Sequence, residues 1–324
     1  MKKVIYSVPL VLILFLFNSC DENLNPYGDF KEEYVLNCII RGDTTFQTAT
    51  ITKTYMVDNY DPYSYTEDTS VKDAKVWLWN LDNVAIMRDT TLSQSPNSKY
   101  DRPYTYYRTD SFQPEGNSLV EIEALLPNGK RIKSSAKVPA RVTMNRQNSS
   151  DRIPPVENNY IKIVWSSDQK DPVFIVRVGI YYFHTENGVR TRKIKIVPLN
   201  YVEYNNDFVE NFPKPQNESA YGVDMATINR AMQLISAGEN DKSKIEILSC
   251  IVEVISLNEE LSFYYNATAR SRDLYSVVLD ESDFSSIGGG YGIFGIYMKS
   301  RYVIRFTHEY IRSFGYTPGL SDVL

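Results

Sequence analysis

Between Glu33 and Met144, apolar residues alternate with polar ones in short runs that end in turn residues, the period-two signature of half-buried strands. The pattern predicts strands at residues 34–40, 47–56, 74–79, 85–89, 119–125 and 131–138. In EYVLNCII the alternate positions Tyr34, Leu36, Cys38 and Ile40 share one face. Asn128-Gly129 falls between the last two runs, and both residue types accept positive φ, so a tight hairpin is expected there. It sets Val120, Ile122 and Ala124 on the same face as Ile132, Ser134, Ala136 and Val138, the inward face of a sandwich.

The polar stretch MNRQNSSDRIPPVENN then carries no apolar period and doubles proline at Pro154-Pro155, which marks a connection. Beyond it, β-branched and aromatic runs resume, and the spacing of Trp165 from the run 173–183 resembles the second and third strands of a fibronectin type III sandwich. Asn187-Gly188 turns the chain into a strand at 190–197. A first helix opens at Asp224, aligns Met225, Ile228, Met232 and Ile235, and stops at Gly238. A strand at 244–255 follows, on which Cys250 shares a face with Leu248, Val252 and Val254. Ser256 and Glu259 have the spacing of a capping box for a second helix, with Leu261, Tyr264, Tyr265 and Thr268 facing inward. The expected fold is mainly β, with two β-sandwich-like domains. Residues 33–145 form an immunoglobulin- or transthyretin-like domain, and 146–158 a linker. Residues 159–324 form a fibronectin III-like domain with inserted helices near 224–237 and 257–272.

The amino terminus follows a different rule. Lys2 and Lys3 precede an apolar run from Val4 to Phe17 that is broken by Tyr6, Ser7 and Pro9. It is shorter than the roughly 20 apolar residues a membrane-spanning helix needs, and it has the parts of a secretory signal peptide, residues 1–19. LFNSC resembles a bacterial lipobox, in which Ser19 is the small residue and Cys20 the thiol that is acylated and becomes the new amino terminus. Phe17 and Asn18 depart from the pattern, which prefers Leu and then Ala or Ser, and the alternative is an ordinary cleaved leader. Residues 20–32 read as a flexible tether. Two or more acyl chains such as palmitate, at about 0.8 kcal/mol per buried methylene, hold a protein at a membrane without a helix.

Charge narrows the partners. The formal charge is −5, and loss of the leader removes two lysines, Lys2 and Lys3, leaving the chain more acidic still. Nucleic acid is therefore excluded as an expected partner, because phosphate contact needs clustered Lys and Arg. Cys38 and Cys250 each sit in an apolar run and are expected as buried thiols rather than a bridge between domains.

Candidate chemistry is sparse. Gly290-Tyr291-Gly292-Ile293-Phe294-Gly295 spells G-x-G-x-x-G, but a dinucleotide site needs a strand before the glycines and a helix after them. Here polar DESDFSS precedes and the alternating IYMKSRYVIRF follows, so the glycines are expected to shape a bend leading into a last strand. His184 and His308 stand alone in strand-like segments, no zinc motif or G-x-S-x-G elbow occurs, and no cofactor, metal ligand set or catalytic residue is assigned. A carboxylate pair of the glycosidase type remains a hydrolase alternative among the 40 acidic residues, since sequence spacing does not reveal one.

The closing stretch SSIGGGYGIFGIYMKSRYVIRF, the helix ISLNEELSFYYNATARS, the strand AKVWLWN and the lipobox occur in the same order in a family of Bacteroidota outer-membrane lipoproteins, which this chain resembles. The shared module of that family is known only as a domain of unknown function. Its closing segment runs Asn-Ile-x-Gly-Gly-x-Gly-Ile-Phe-Gly, matched by Ile287–Gly295 with Ser286 in place of Asn. The resemblance implies two extracytoplasmic β-rich domains and association with TonB-dependent outer-membrane receptors, and it implies no catalytic residues.

Tyrosine is abundant at 25 residues, and two tracts, 55–68 and 99–110, place it in loop-like, charge-bearing sequence. Tyr60, Tyr63, Tyr65, Tyr104 and Tyr106 are the expected recognition surface for a glycan, a peptide or a partner receptor, because a tyrosine ring offers a rigid face and a polar tip. The alternative is that they lie in edge strands and packed turns. The expected function is non-catalytic: binding or assembly at the outer membrane as an accessory to a TonB-dependent receptor, or binding of a surface glycan or peptide. Asp21 and Glu22 resemble a cell-surface export signal, which favours the cell surface over the periplasmic face.

Overall fold

The structure is a computed structural model that describes residues 30–57, 65, 67–92, 104–204, 207–270 and 284–319. Of these, 30–32, 55–57 and 65 belong to a small unit, and the rest to the main body. The leader, Cys20 and most of the tether lie outside the described residues.

The fold is mainly β and sandwich-like, with 53% strand against 11% helix. The first half carries β1 (Tyr34–Arg41), β2 (Gln47–Lys53), β3 (Lys75–Asn80), β4 (Asn83–Leu92), β5 (Tyr104–Thr109), β6 (Leu119–Leu125), β7 (Arg131–Lys137) and β8 (Thr143–Met144). The second half carries β9 (Arg152–Ile153), β10 (Tyr160–Ser166), β11 (Val173–Glu186), β12 (Val189–Val197), β13 (Asn200–Tyr204), β14 (Asp207–Asn211) and β15 (Ala220–Asp224). Three further strands, β16 (Ile245–Leu257), β17 (Tyr291–Phe306) and β18 (Thr317–Pro318), are interleaved with helices α1 (Met225–Ile235), α2 (Glu259–Arg270) and α3 (His308–Ser313).

Most strands join one large sheet in the order β12-β11-β16-β17-β1-β2-β5-β4-β3-β6-β7, with β18 beside β16 and β9 beside β17. A bridge from Lys133 to Gly288 ties β7 back to the segment entering β17, so the half built on β1–β7 closes on itself. That half encloses a core of Leu36, Cys38, Ile51, Leu78, Tyr107, Ile122 and Ile132. In the other half the large sheet faces the three-stranded sheet β15-β10-β8 and α1. Between them lie Ile163, Trp165, Phe174, Val176, Ile228, Met232, Val252 and Ile304, with Trp165 edge-on to Phe174 at 5.4 Å.

Strand β17 serves both cores with one face. Phe294, Ile296 and Met298 enter the first, and Tyr302, Ile304 and Phe306 the second. It runs parallel to β1 and antiparallel to β16, so a single alternating segment links the two halves. Residues 146–158, expected as a linker, include Ile153, which is fully buried and pairs with Phe306.

Several local expectations change. Residues 104–109, expected as loop, form a strand between β2 and β4. Its inward positions are Thr105, Tyr107 and Thr109, which do not read as apolar; the Tyr107 hydroxyl compensates by donating to Val71 O at 2.7 Å and accepting from Ala74 N at 3.1 Å. The helix after β16 is capped by Asn258, not Ser256, because pairing with β17 carries the strand through Leu257; Asn258 Oδ1 accepts from Leu261 N at 3.1 Å. Of the residues expected to face inward from α2, Leu261 does, while Tyr264 and Tyr265 are each 39% exposed. Cys250 shares the core with Val252 and Val254, but Leu248 does not join them. A bulge opposite Tyr181 and Tyr182 shifts the alternation, and Ile247 takes the inward place. His308 opens a helix rather than lying in a strand.

Candidate binding face

Tyr60 and Tyr63 lie outside the described residues. Tyr65, in the small unit, stacks on Tyr55 with centroids 4.1 Å apart. Tyr104 and Tyr106 are brought together on β5, two residues apart and therefore on one face, with centroids 5.9 Å apart and planes tilted by 40°. That face is outward: Tyr104 is 42% exposed while Thr105 and Tyr107 between and beyond them are buried. Across the ladder, Leu92 stands opposite Tyr104 and Thr90 opposite Tyr106.

The same outward surface continues over β4, β3, β6 and β7, where two rows cross the strands. Val84 lies opposite Trp79, Trp79 opposite Glu121 and Glu121 opposite Ser135. Alongside, Ile86 lies opposite Trp77, Trp77 opposite Glu123 and Glu123 opposite Lys133. The apolar end of this face is uncovered, with Ile86 62%, Val84 47% and Trp79 38% exposed. At the polar end, Trp79, Glu121, Glu123, Lys133, Ser135 and the passing segment at Ser286 and Gly288 line an open cleft of about 670 Å³. The tryptophans were not among the residues the sequence singled out for binding, although the outward alternation of AKVWLWN carries the signal.

The glycine stretch is a wall of this cleft and a splice in the fold. Gly288 exchanges both backbone hydrogen bonds with Lys133, at 2.8 and 3.0 Å. At Gly292, φ is +115° and a Cβ would collide with the Leu36 carbonyl. Ser286 Oγ accepts from Phe294 N at 2.8 Å and pins the bend. Strand β17 begins at Tyr291 and already contains Gly292 and Gly295, so no helix start meets the glycines and the dinucleotide geometry is absent from this segment.

Two buried or half-buried charge clusters lie elsewhere among the described residues. Glu253, 3% exposed, faces Arg301 at 3.1 Å, Arg177 at 3.4 Å and Lys299 at 3.5 Å, and Lys299 reaches Asp43 at 2.9 Å. His184 sits between Glu186 at 2.7 Å and Glu239 at 3.3 Å. The Asp241 backbone N–H holds the Glu239 carboxyl down at about 2, with Lys244 and His184 assisting. Burial pushes the Cys250 thiol up to about 12 and raises Cys38 as well; both cysteines are free. Among the described residues, no group of three or more His, Cys, Asp or Glu is placed to hold a metal ion.

No protein-family model matches the chain, and no curated protein matches it either. The outward face therefore stands on its own geometry: aromatic rings that can stack, beside side chains that can donate and accept hydrogen bonds.

Proposed function

We propose that this protein is a non-catalytic, lipid-anchored protein of the cell envelope that acts in ligand binding or assembly at the outer membrane, as an accessory to a TonB-dependent receptor. The observation that carries it is the leader: two lysines, an apolar run too short to span a bilayer, and Ser19-Cys20 followed at once by polar sequence. Acyl chains on Cys20 supply the anchor, residues 20–32 the leash, and the β-rich body the contact surface. The resemblance of Ile287–Gly295 to the closing segment of the Bacteroidota lipoproteins supports the same role. Crosslinking in intact cells tests it. The expected result is capture of a TonB-dependent receptor at a fixed ratio without added ligand; a captured set without any such receptor contradicts it.

A second reading, binding of a surface glycan or peptide, is favoured by the outward pair Tyr104 and Tyr106. Stacking on exposed rings is a contact that a soluble ligand can use as readily as a protein can.

A further inference from the structure

We propose that the cleft on the outer face of β6 and β7 is a carbohydrate subsite, with Trp79 as its stacking platform and Glu121, Ser135 and Lys133 as its hydroxyl partners. The inference rests on the binding role above and names the ligand class. Trp79, Glu121 and Ser135 stand side by side on three neighbouring strands, and Lys133 lies one row away. Glu123 is committed to Arg131 at 2.6 Å. Among the described residues, the side chains of Glu121, Lys133 and Ser135 make no hydrogen bond or ion pair, so they remain available to a ligand.

The available set decides the ligand. Glu121 only accepts, Lys133 only donates, and Ser135 does both. An anionic ligand would meet the Glu121 charge and a cationic one the Lys133 charge. A neutral polyol satisfies all three, because every hydroxyl donates and accepts, while the apolar C–H face of a sugar ring covers an indole. The site is built before ligand arrives: Gly288 is fastened to Lys133 by two backbone hydrogen bonds, and Ser134 Oγ donates to Ser286 O at 2.5 Å. Such rigidity lowers the ordering cost of binding. Four strands at roughly 4.8 Å spacing make the row from Val84 to Ser135 about 14 Å long, enough for more than one ring.

Calorimetric titration of the full chain in detergent with the neutral tetrasaccharides of glucose, mannose and xylose tests the subsite. Saturable binding of at least one is expected, weakened about tenfold by Trp79→Ala and less by Glu121→Gln. Tyr204→Ala, on the remote hairpin, leaves it unchanged. If Trp79→Ala lowers the melting temperature, the exposed Glu121→Gln variant carries the test alone. The proposal is overturned if no tetrasaccharide binds at millimolar concentration, or if affinity is unchanged in both cleft variants. It is also overturned if a random peptide library, and no sugar, is held in a Trp79-dependent way. None of these results alters receptor capture in intact cells, and loss of the Cys20 lipid leaves sugar binding intact, so the two readings fail separately.

Discussion

Asn258 and Ile296 are joined twice: the Asn258 backbone N–H donates to Ile296 O at 3.0 Å, and the Asn258 side-chain oxygen accepts from Ile296 N at 3.1 Å. The same oxygen caps α2 through Leu261 N, so one side chain, 2% exposed, fastens a helix start to the strand that serves both cores. Asn258→Ala leaves two buried donors without an acceptor and is expected to cost about 2–4 kcal/mol. The midpoint of urea denaturation measures it; an unchanged midpoint would show that the cap is dispensable.

Two glycines, both at positive φ, differ in what surrounds their Cβ position. Gly129→Ala, at φ +83° with open space around its Cβ position, is expected to cost about 1 kcal/mol. Gly292→Ala drives a methyl group into the Leu36 carbonyl and is expected to cost roughly 3 kcal/mol or more, because the β1–β17 ladder must part to admit it. Paired denaturation curves would show the difference.

Glu253→Ala removes a carboxylate shared by three cations. Arg177 and Arg301 are about half exposed and can turn to water, and Lys299 keeps Asp43. The expected loss is therefore about 2 kcal/mol, below the roughly 3–5 kcal/mol of a fully buried pair. A loss of the larger size would mean that Lys299 depends on Glu253 rather than on Asp43.

The Glu239 carboxyl titrates at about 2 in the folded chain, below its ordinary 4.5. A depressed carboxyl stabilises the fold above the ordinary range, and that contribution drains away as pH falls from about 4.5 toward 2. Wild type should melt above Glu239→Gln at pH 7, and the two should converge near pH 2. A gap that persists in acid contradicts the assignment.

Burial keeps Cys38 and Cys250 as thiols at pH 8, and only a thiolate attacks alkylating reagents quickly. Both should resist iodoacetamide in the folded chain and react once it unfolds, as read by mass spectrometry.

Local pattern carried most of the fold. The strand at 119–125, the inward set Tyr34, Leu36, Cys38 and Ile40, and the turn at Asn187-Gly188 follow directly from alternation and from tolerance of positive φ. What escaped depends on partners distant in sequence. Strand β5 hides its core residue as a tyrosine whose hydroxyl finds two backbone partners. The alternation of β16 breaks at a bulge that only its pairing with β11 defines. Asn258 is recognisable as a cap only once Ile296 is beside it. The site behaves the same way: Trp79 and Glu121 are each visible in an alternating run, but 42 positions separate them until β3 and β6 pair.

Mass spectrometry of the mature amino terminus, purified from membranes, decides whether lipid holds this binding protein at the envelope. Cys20 is expected as the first residue, carrying a thioether-linked diacylglyceryl group, with Cys20→Ala retained as the uncleaved precursor. A mature chain that begins elsewhere, or an unmodified Cys20, would contradict it.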